Sequence, residues 1–152
     1  MQYIIIPIRI KNLGWYFLLK EGVVMKTVIY ARKSTFKSGQ ADTINNQIKI
    51  CKRRAKELGL TIVDVKTDTG TGTNDKNRDE IKELISEALE GKYECVIMKG
   101  ISRFYRDVEH GIGLIKKLDR SKIRVITLEE SFDSLINRTG SGQLDTSMIA
   151  MY

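Results

Sequence analysis

The fold is decided by residues 27–65, TVIYARKSTFKSGQADTINNQIKICKRRAKELGLTIVDV. Residues 27–31 form a short apolar run rich in β-forming side chains, which predicts a buried strand. Residues 43–58 predict an amphipathic helix, with Asp42 or Thr43 as the N-cap and Gly59 after the last turn. Its apolar positions recur at helical spacing: Ile44, Ile48, Cys51, Ala55 and Leu58. Residues 60–65 predict a second strand, so the segment forms the βαβ unit of a parallel sheet.

The same alternation continues towards the carboxyl end of the chain. Residues 78–90 predict a second helix closed by Gly91, and residues 93–98 predict a third strand. Residues 107–120 predict a third helix, which Gly111 and Gly113 weaken, and residues 123–128 predict a fourth strand. The order predicts an α/β fold with three layers: a mainly parallel sheet of about four strands with helices on both faces.

The first 24 residues differ from the rest and hold the only proline and the only tryptophan. Charged residues interrupt their apolar runs, so none reaches the roughly 20 residues of a membrane span. Two interpretations stay open. Residues 21–24 can be encoded by a purine-rich stretch resembling a bacterial ribosome-binding site, so that Met25 is the natural start and residues 1–24 are a non-native upstream extension. Alternatively, they add an extra strand to the domain.

Composition narrows the function without deciding it. A net charge of +7 permits a nucleic-acid partner but does not require one. The two cysteines, Cys51 and Cys95, lie in apolar patterns and predict buried, reduced thiols. With no CxxC motif and a single histidine, His110, the sequence argues against a structural zinc site and against a histidine base. We expect neither a metal nor a cofactor.

Candidate chemistry gathers where the predicted strands end, which is where parallel α/β sheets hold their ligands. Hydroxyl, carboxyl or guanidinium groups lie at or after the end of each of the first three strands: Tyr30, Arg32 and Ser34, then Asp68, Thr71 and Arg78, then Arg103 and Arg106. Guanidinium groups match phosphate oxygens in a bidentate way and stay charged. A serine hydroxyl can form a covalent phosphoester. This set of groups suits phosphoryl transfer.

Residues 30–34, YARKS, resemble the Y-x-R-x-S opening of the resolvase/invertase family of serine recombinases. The resemblance continues through Gln47, residues 68–72, Arg78 and the SRFYRD run at 102–107, and it spans residues 25–152. A long segment between Ser34 and Gln47 is similar to that of the large serine recombinases. Ser102 stands where resolvases often carry Asp, Gly100-Ile101 replaces a more usual x-Leu, and Tyr105 replaces a usual Gly.

The resemblance implies a site-specific recombinase that acts on double-stranded DNA without a cofactor. Ser34 is then the nucleophile that gives a 5′-phosphoserine intermediate, followed by strand exchange and religation. The matching arginines are Arg32, Arg103 and Arg106 around the scissile phosphate and Arg78 as a further active-site group. The matching supporting residues are Tyr30, Gln47, Asp68 and Thr71.

The resemblance also implies partners and a domain organisation. We expect a homo-oligomer, with a dimer on each site and a tetramer in synapsis, in the bacterial cytoplasm at the nucleoid, encoded by a bacterial or phage mobile element. No membrane and no small-molecule substrate are expected. Residues 25–137 are the predicted catalytic domain. Residues 138–152 begin a truncated oligomerisation helix with Leu144, Met148 and Met151 aligned, so the isolated fragment is expected to be inactive. The alternative is a catalytically silent α/β module for DNA binding or regulation.

Overall fold

The structure is a computed structural model, which describes residues 5–10, 14–19, 24–33, 43–68, 79–105 and 107–151. The strands are β1 (Ile5–Ile10), β2 (Gly14–Leu19), β3 (Lys26–Arg32), β4 (Thr61–Asp68), β5 (Cys95–Met98), β6 (Arg124–Thr127) and β7 (Phe132–Asp133). The helices are α1 (Ile44–Glu57), α2 (Asp79–Leu89), α3 (Ile101–Phe104), α4 (Val108–Arg120) and α5 (Ser147–Ala150).

A five-stranded sheet in the order β4-β3-β5-β6-β7 organises the protein. Strands β4, β3, β5 and β6 are parallel to one another, which confirms the predicted α/β fold and its four parallel strands. The fifth strand, β7, pairs antiparallel with β6 and was not predicted. Its two residues are too few to show a period. The chain reverses into it through Ser131, whose φ of 50° lies in the left-handed region.

Side chains that alternate along the strands build two hydrophobic cores, one on each face of the sheet. Val28 and Tyr30 of β3 belong to the core that includes residues of α2 and α4. Ile29 belongs to the other core, which includes Cys51 of α1. Helices therefore cover both faces, as the alternation of apolar runs predicts.

The first two long helices lie where the sequence predicts them, with ends within one residue of the predicted 43–58 and 78–90, except that residue 78 lies outside the described residues. Thr43 Oγ1 accepts a 3.2 Å hydrogen bond from the backbone N–H of Asn46 and caps α1, and Gly59 follows with a φ of 67°. Gly91, with a φ of 89°, follows α2. The second predicted strand was too short, because β4 continues through two polar residues to Asp68. This extension brings Asp68 opposite Arg32 of β3.

The two ends of the chain depart from their predicted patterns. Strands β1 and β2 pair antiparallel in a separate two-stranded sheet, so they add no strand to the main sheet. Leu144 lies outside α5 and pairs with Arg138 in an isolated antiparallel bridge, so the expected helical alignment with Met148 and Met151 was wrong. Within the described residues, no helix has the length and apolar character needed to cross a membrane.

Candidate active site

The parallel pairing of β3 and β4 fixes Asp68 at the carboxyl edge of the sheet. Arg32 and Asp68 are register partners, and the backbone N–H of Lys33 donates a 3.1 Å hydrogen bond to the Asp68 carbonyl. The Tyr30 hydroxyl donates a 2.7 Å hydrogen bond to Asp68 Oδ2, and both side chains are buried. Asp68 is therefore held through its backbone and through its carboxylate.

Gln47 attaches the start of α1 to the end of β3. Its Oε1 accepts a 3.2 Å hydrogen bond from the backbone N–H of Arg32, and its Nε2 donates a 3.0 Å hydrogen bond to the Arg32 carbonyl. Gln47 is fully buried. The two hydrogen bonds fix the two successive peptide units on either side of the Arg32 Cα, so the direction in which the Arg32 side chain leaves the strand has little freedom.

The short helix α3 brings a second arginine to the same edge. Arg32 Nη2 donates a 3.1 Å hydrogen bond to the backbone carbonyl of Ser102, which directly precedes Arg103. Arg32 and Arg103 are each only 9% exposed. The ring of Phe104 packs against the ring of Tyr30 with 5.7 Å between centroids, so α3 is also anchored to β3 by an apolar contact.

The structure therefore brings together five of the nine predicted site residues: Tyr30, Arg32, Gln47, Asp68 and Arg103. The other four, Ser34, Thr71, Arg78 and Arg106, lie outside the described residues. The described part supplies two guanidinium groups that are mostly withdrawn from water. Such groups interact with phosphate oxygens more strongly than they would in bulk solvent, because the surrounding dielectric constant is lower.

Two contacts at this edge were missed by sequence reasoning. The Ser102 carbonyl holds Arg32, and a backbone acceptor carries no signal in the residue type. Phe104 packs on Tyr30 from a helix of four residues, which is too short for a hydrophobic period to appear. The apolar residues Ile101 and Phe104, three apart between polar neighbours, were the only available clue to α3.

A sequence-family model described as "Resolvase, N terminal domain" matches residues 27–152. The chain belongs to this family. It is the catalytic domain of a site-specific DNA recombinase, which confirms the predicted enzyme class. The family match covers the main sheet from the second residue of β3 onwards and begins two residues after Met25.

Solved structures are similar to this recombinase domain over most of its length. The N-terminal catalytic domain of TP901-1 integrase is 25% identical with a TM-score of 0.65, and the alignment covers 83% of this chain and 89% of that one. A resolvase family site-specific recombinase from Streptococcus pneumoniae is 21% identical with a TM-score of 0.63, covering 84% and 82%. The catalytic domain of ISC1926 TnpA, an IS607-like serine recombinase, is 21% identical with a TM-score of 0.56, covering 68% and 70%. The last two similarities show the shared fold. A search of curated protein sequences found no match.

Proposed function

We propose that this recombinase cuts DNA by direct attack of the Ser34 hydroxyl on a phosphodiester. The proposal rests on two buried arginines, Arg32 at the end of β3 and Arg103 on α3. Arg32 donates a hydrogen bond to the backbone carbonyl of Ser102, the residue before Arg103. Ser34 follows Arg32 by two residues, and covalent geometry keeps their Cα atoms within about 7 Å of each other. The nucleophile and the charged groups therefore belong to one neighbourhood.

The proposed reaction exchanges one phosphoester bond for another. The bond from Ser34 Oγ to phosphorus forms while the bond from phosphorus to the 3′ oxygen breaks, and the proton lost by the serine is balanced by the proton gained at the 3′ oxygen. The products are a 5′-phosphoserine linkage and a free 3′ hydroxyl. Religation reverses these steps with the 3′ hydroxyl of another strand. No external energy source is needed, because one ester replaces another.

The proposed roles of the surrounding residues follow from their contacts and from the family resemblance. Arg32 and Arg103 stabilise the charge that develops on the phosphate oxygens, together with Arg78 and Arg106, which match family arginines in the sequence. Tyr30, Gln47 and Asp68 position these groups, since each holds the end of β3 or β4. Thr71 matches a further supporting position.

The proposal extends to the assembly in which the reaction occurs. We infer that the recombinase binds double-stranded DNA as a dimer on each site and as a tetramer in synapsis, at the bacterial nucleoid. The exposed Met148 and Met151, near the end of the described chain, support a subunit contact in that region. Two DNA duplexes must be cut and exchanged, so four nucleophiles are required for four strands.

The test is a covalent-adduct assay in EDTA. The full-length recombinase is incubated with sheared genomic DNA of the source organism and denatured, and protein-linked DNA is separated from free DNA. Protein-linked fragments are sequenced to recover the site, and the modified peptide is mapped. We expect phosphate on Ser34 and loss of the adduct in Ser34→Ala, whereas Ser121→Ala, at an exposed serine after α4, retains it. An adduct that survives Ser34→Ala, or cleavage that requires magnesium, would move the protein to another class of nuclease. No adduct with any DNA would favour the catalytically silent module.

A further inference from the structure

The helix that presents Arg103 begins without a cap of its own. In α3 the N-cap is Gly100, an extended residue with no side chain to accept a hydrogen bond. The first backbone N–H groups of a helix have no partner within the helix and need an external acceptor, above all where they are buried. The position of α3 matters here, because it carries both Arg103 and the carbonyl that holds Arg32.

A carboxyl group from a distant part of the chain supplies the missing acceptor. Glu130 Oε1 accepts a 3.0 Å hydrogen bond from the backbone N–H of Ile101, the first residue of α3. Glu130 is 3% exposed. It lies in the turn after β6, and this turn is joined to the end of β5 by backbone hydrogen bonds from Leu128 and Glu129 to the Lys99 carbonyl. The acceptor is therefore held on the sheet and not on a free loop.

The space around Gly100 explains why the acceptor comes from elsewhere. A Cβ at position 100 would lie 2.2 Å from Glu129 Oε2 and 3.2 Å from Glu130 Oε1. The exposed Glu129 side chain can move aside, but the buried Glu130 carboxyl cannot retreat without weakening its bond to Ile101. A serine, threonine or aspartate cap at position 100 is thus disfavoured, and the capping function falls to Glu130.

Glu130 occupies this site at some cost to folding. Among the described residues, its second oxygen, Oε2, is buried and has no hydrogen-bond partner. A buried polar atom without a partner lowers stability, and an apolar side chain would avoid that cost. A cost of this kind is explained most simply if the carboxyl group contributes to the activity.

We propose that Glu130 is a positioning residue for DNA cleavage, which fixes the start of α3 and through it the guanidinium groups of Arg103 and Arg32. The effect on cleavage rests on the proposed function, because it assumes that these two arginines bind the scissile phosphate. The capping of α3 does not depend on the proposed function, because it is the hydrogen bond from the Ile101 N–H to Glu130. Glu130 acts on the reaction through the helix and touches no reacting atom.

Three substitutions separate the effect of side-chain length from the effect of charge. Glu130→Gln keeps the length and an acceptor oxygen but removes the charge. Glu130→Asp keeps the charge on a shorter side chain, and Glu130→Ala removes the whole carboxyl group. The matched control is Glu129→Ala, which removes the neighbouring carboxylate and its 3.2 Å ion pair with Lys99 but leaves the bond to Ile101. Each variant of the full chain is checked for folding by circular dichroism and urea unfolding.

The first readout is hydrogen exchange and the NMR chemical shift of the Ile101 amide, without DNA. We expect protection to be retained in Glu130→Gln and Glu129→Ala and lost in Glu130→Asp and Glu130→Ala. The second readout is the single-turnover rate of adduct formation by the full-length recombinase at saturating DNA. Because a displacement of about 1 Å can slow an enzyme about a hundredfold, we expect Asp and Ala to lose ten- to a hundredfold in this rate with DNA affinity unchanged.

The outcomes distinguish the two proposals. If the Ile101 amide loses protection in Glu130→Ala while even the wild-type protein forms no adduct, the serine mechanism is refuted and the capping of α3 by Glu130 is supported. Unchanged protection in Glu130→Ala would overturn the cap. Two results would overturn the positioning role: a Glu130→Gln variant as slow as Glu130→Ala, or a Glu130→Asp variant as fast as wild type. Either result would show that the rate depends on the charge at position 130 and not on the length of the side chain.

Discussion

The carboxamide of Gln47 takes the place of a missing strand beside Arg32. The pairing of β3 with β5 ends at Tyr30 and Met98, so β5 offers no partner to the backbone of Arg32. Gln47 accepts from the Arg32 N–H and donates to its carbonyl, as a neighbouring strand would. The carboxyl edge of the sheet therefore opens at β5, where α3 enters, while the end of β3 stays rigid.

Replacing Gln47 by leucine should destabilise the domain strongly. The substitution keeps the volume but leaves a buried N–H and a buried carbonyl without their partner, at about 1–3 kcal/mol each. We expect the free energy of unfolding to fall by about 2–6 kcal/mol with an unchanged urea m-value. The control is Asn45→Ala on the exposed side of α1, which should change it by less than about 0.5 kcal/mol. A Gln47→Leu protein as stable as wild type would show that the edge of β3 is held by other contacts.

The sequence predicts the parts of the fold that repeat and misses the parts that depend on a few residues. Apolar patterns identify the four parallel strands and the three long helices, because each long helix buries one face and the central strands are continuous buried runs. It cannot identify α3 or β7, which have four and two residues. It also ends the second strand too early, because polar residues at the end of a strand resemble a loop.

The sequence predicts which residues lie at the candidate site, but it does not predict the contacts that hold them. Arg32, Asp68 and Arg103 follow predicted strands, and the general rule for parallel sheets places them together. The role of Gln47 depends on where β5 ends, which no local pattern determines. The contribution of Glu130 depends on a turn that approaches α3 from 29 residues away in the sequence.

Both cysteines should resist alkylation in the folded protein. Burial raises the pKa of the Cys51 thiol to about 12 and that of the Cys95 thiol to about 12. The reactive thiolate is therefore scarce at pH 8, and the reagent has no direct access. We expect no labelling by iodoacetamide without denaturant and two labels per chain in guanidinium chloride, measured by intact mass. Rapid labelling of either thiol in the native protein would indicate local opening around α1 or β5.

Glu87 should make the domain sensitive to acid. Hydrogen bonds from Lys92 and Tyr93, with the ammonium group of Lys66 at 3.2 Å, lower the pKa of Glu87 from 4.5 to about 2. The folded pKa lies below the unfolded one, so the stabilisation is present above about pH 4.5 and is lost as the pH falls towards about 2.

The measurement is the urea midpoint between pH 5 and pH 3, where the wild-type midpoint should fall as the pH is lowered. Glu87→Gln should be less stable at pH 5 and should show a flatter dependence on pH. Glu83→Gln, on the same helix and with a side chain 54% exposed, removes an equal charge and serves as the control. Parallel pH profiles for Glu87→Gln and wild type would contradict the assignment.

Deleting residues 1–24 should leave the main domain intact. Strands β1 and β2 share no strand pairing with the five-stranded sheet, whereas Met25 is buried in its core. We therefore expect the variant that begins at Met25 to melt within about 2 °C of the full chain, as expected when less than about 0.5 kcal/mol is lost. The companion variant Met25→Ala, in the full chain, should lower the melting temperature because it leaves a cavity in the hydrophobic core to which Met25, Ile29 and Cys95 belong. A large drop on deletion would show that the hairpin is an integral part of the fold.

Arg103→Lys should fail to replace arginine in DNA cleavage. The proposed site uses the planar guanidinium group to match two phosphate oxygens, and an ammonium group offers only a point charge. Removing such a donor costs on the order of 3 kcal/mol in the transition state, which is about a hundredfold in rate. We expect Arg103→Ala to show this loss in the single-turnover rate of adduct formation, and Arg103→Lys to recover only part of it. DNA affinity in a gel-shift titration should change little in both, because binding depends on many contacts to the DNA backbone.

The control is Arg120→Ala, at an exposed arginine of α4, which should retain the wild-type rate. If Arg103→Lys cleaved as fast as wild type, or if the whole loss in rate were explained by weaker DNA binding, Arg103 would act as a general electrostatic contact and not on the scissile phosphate.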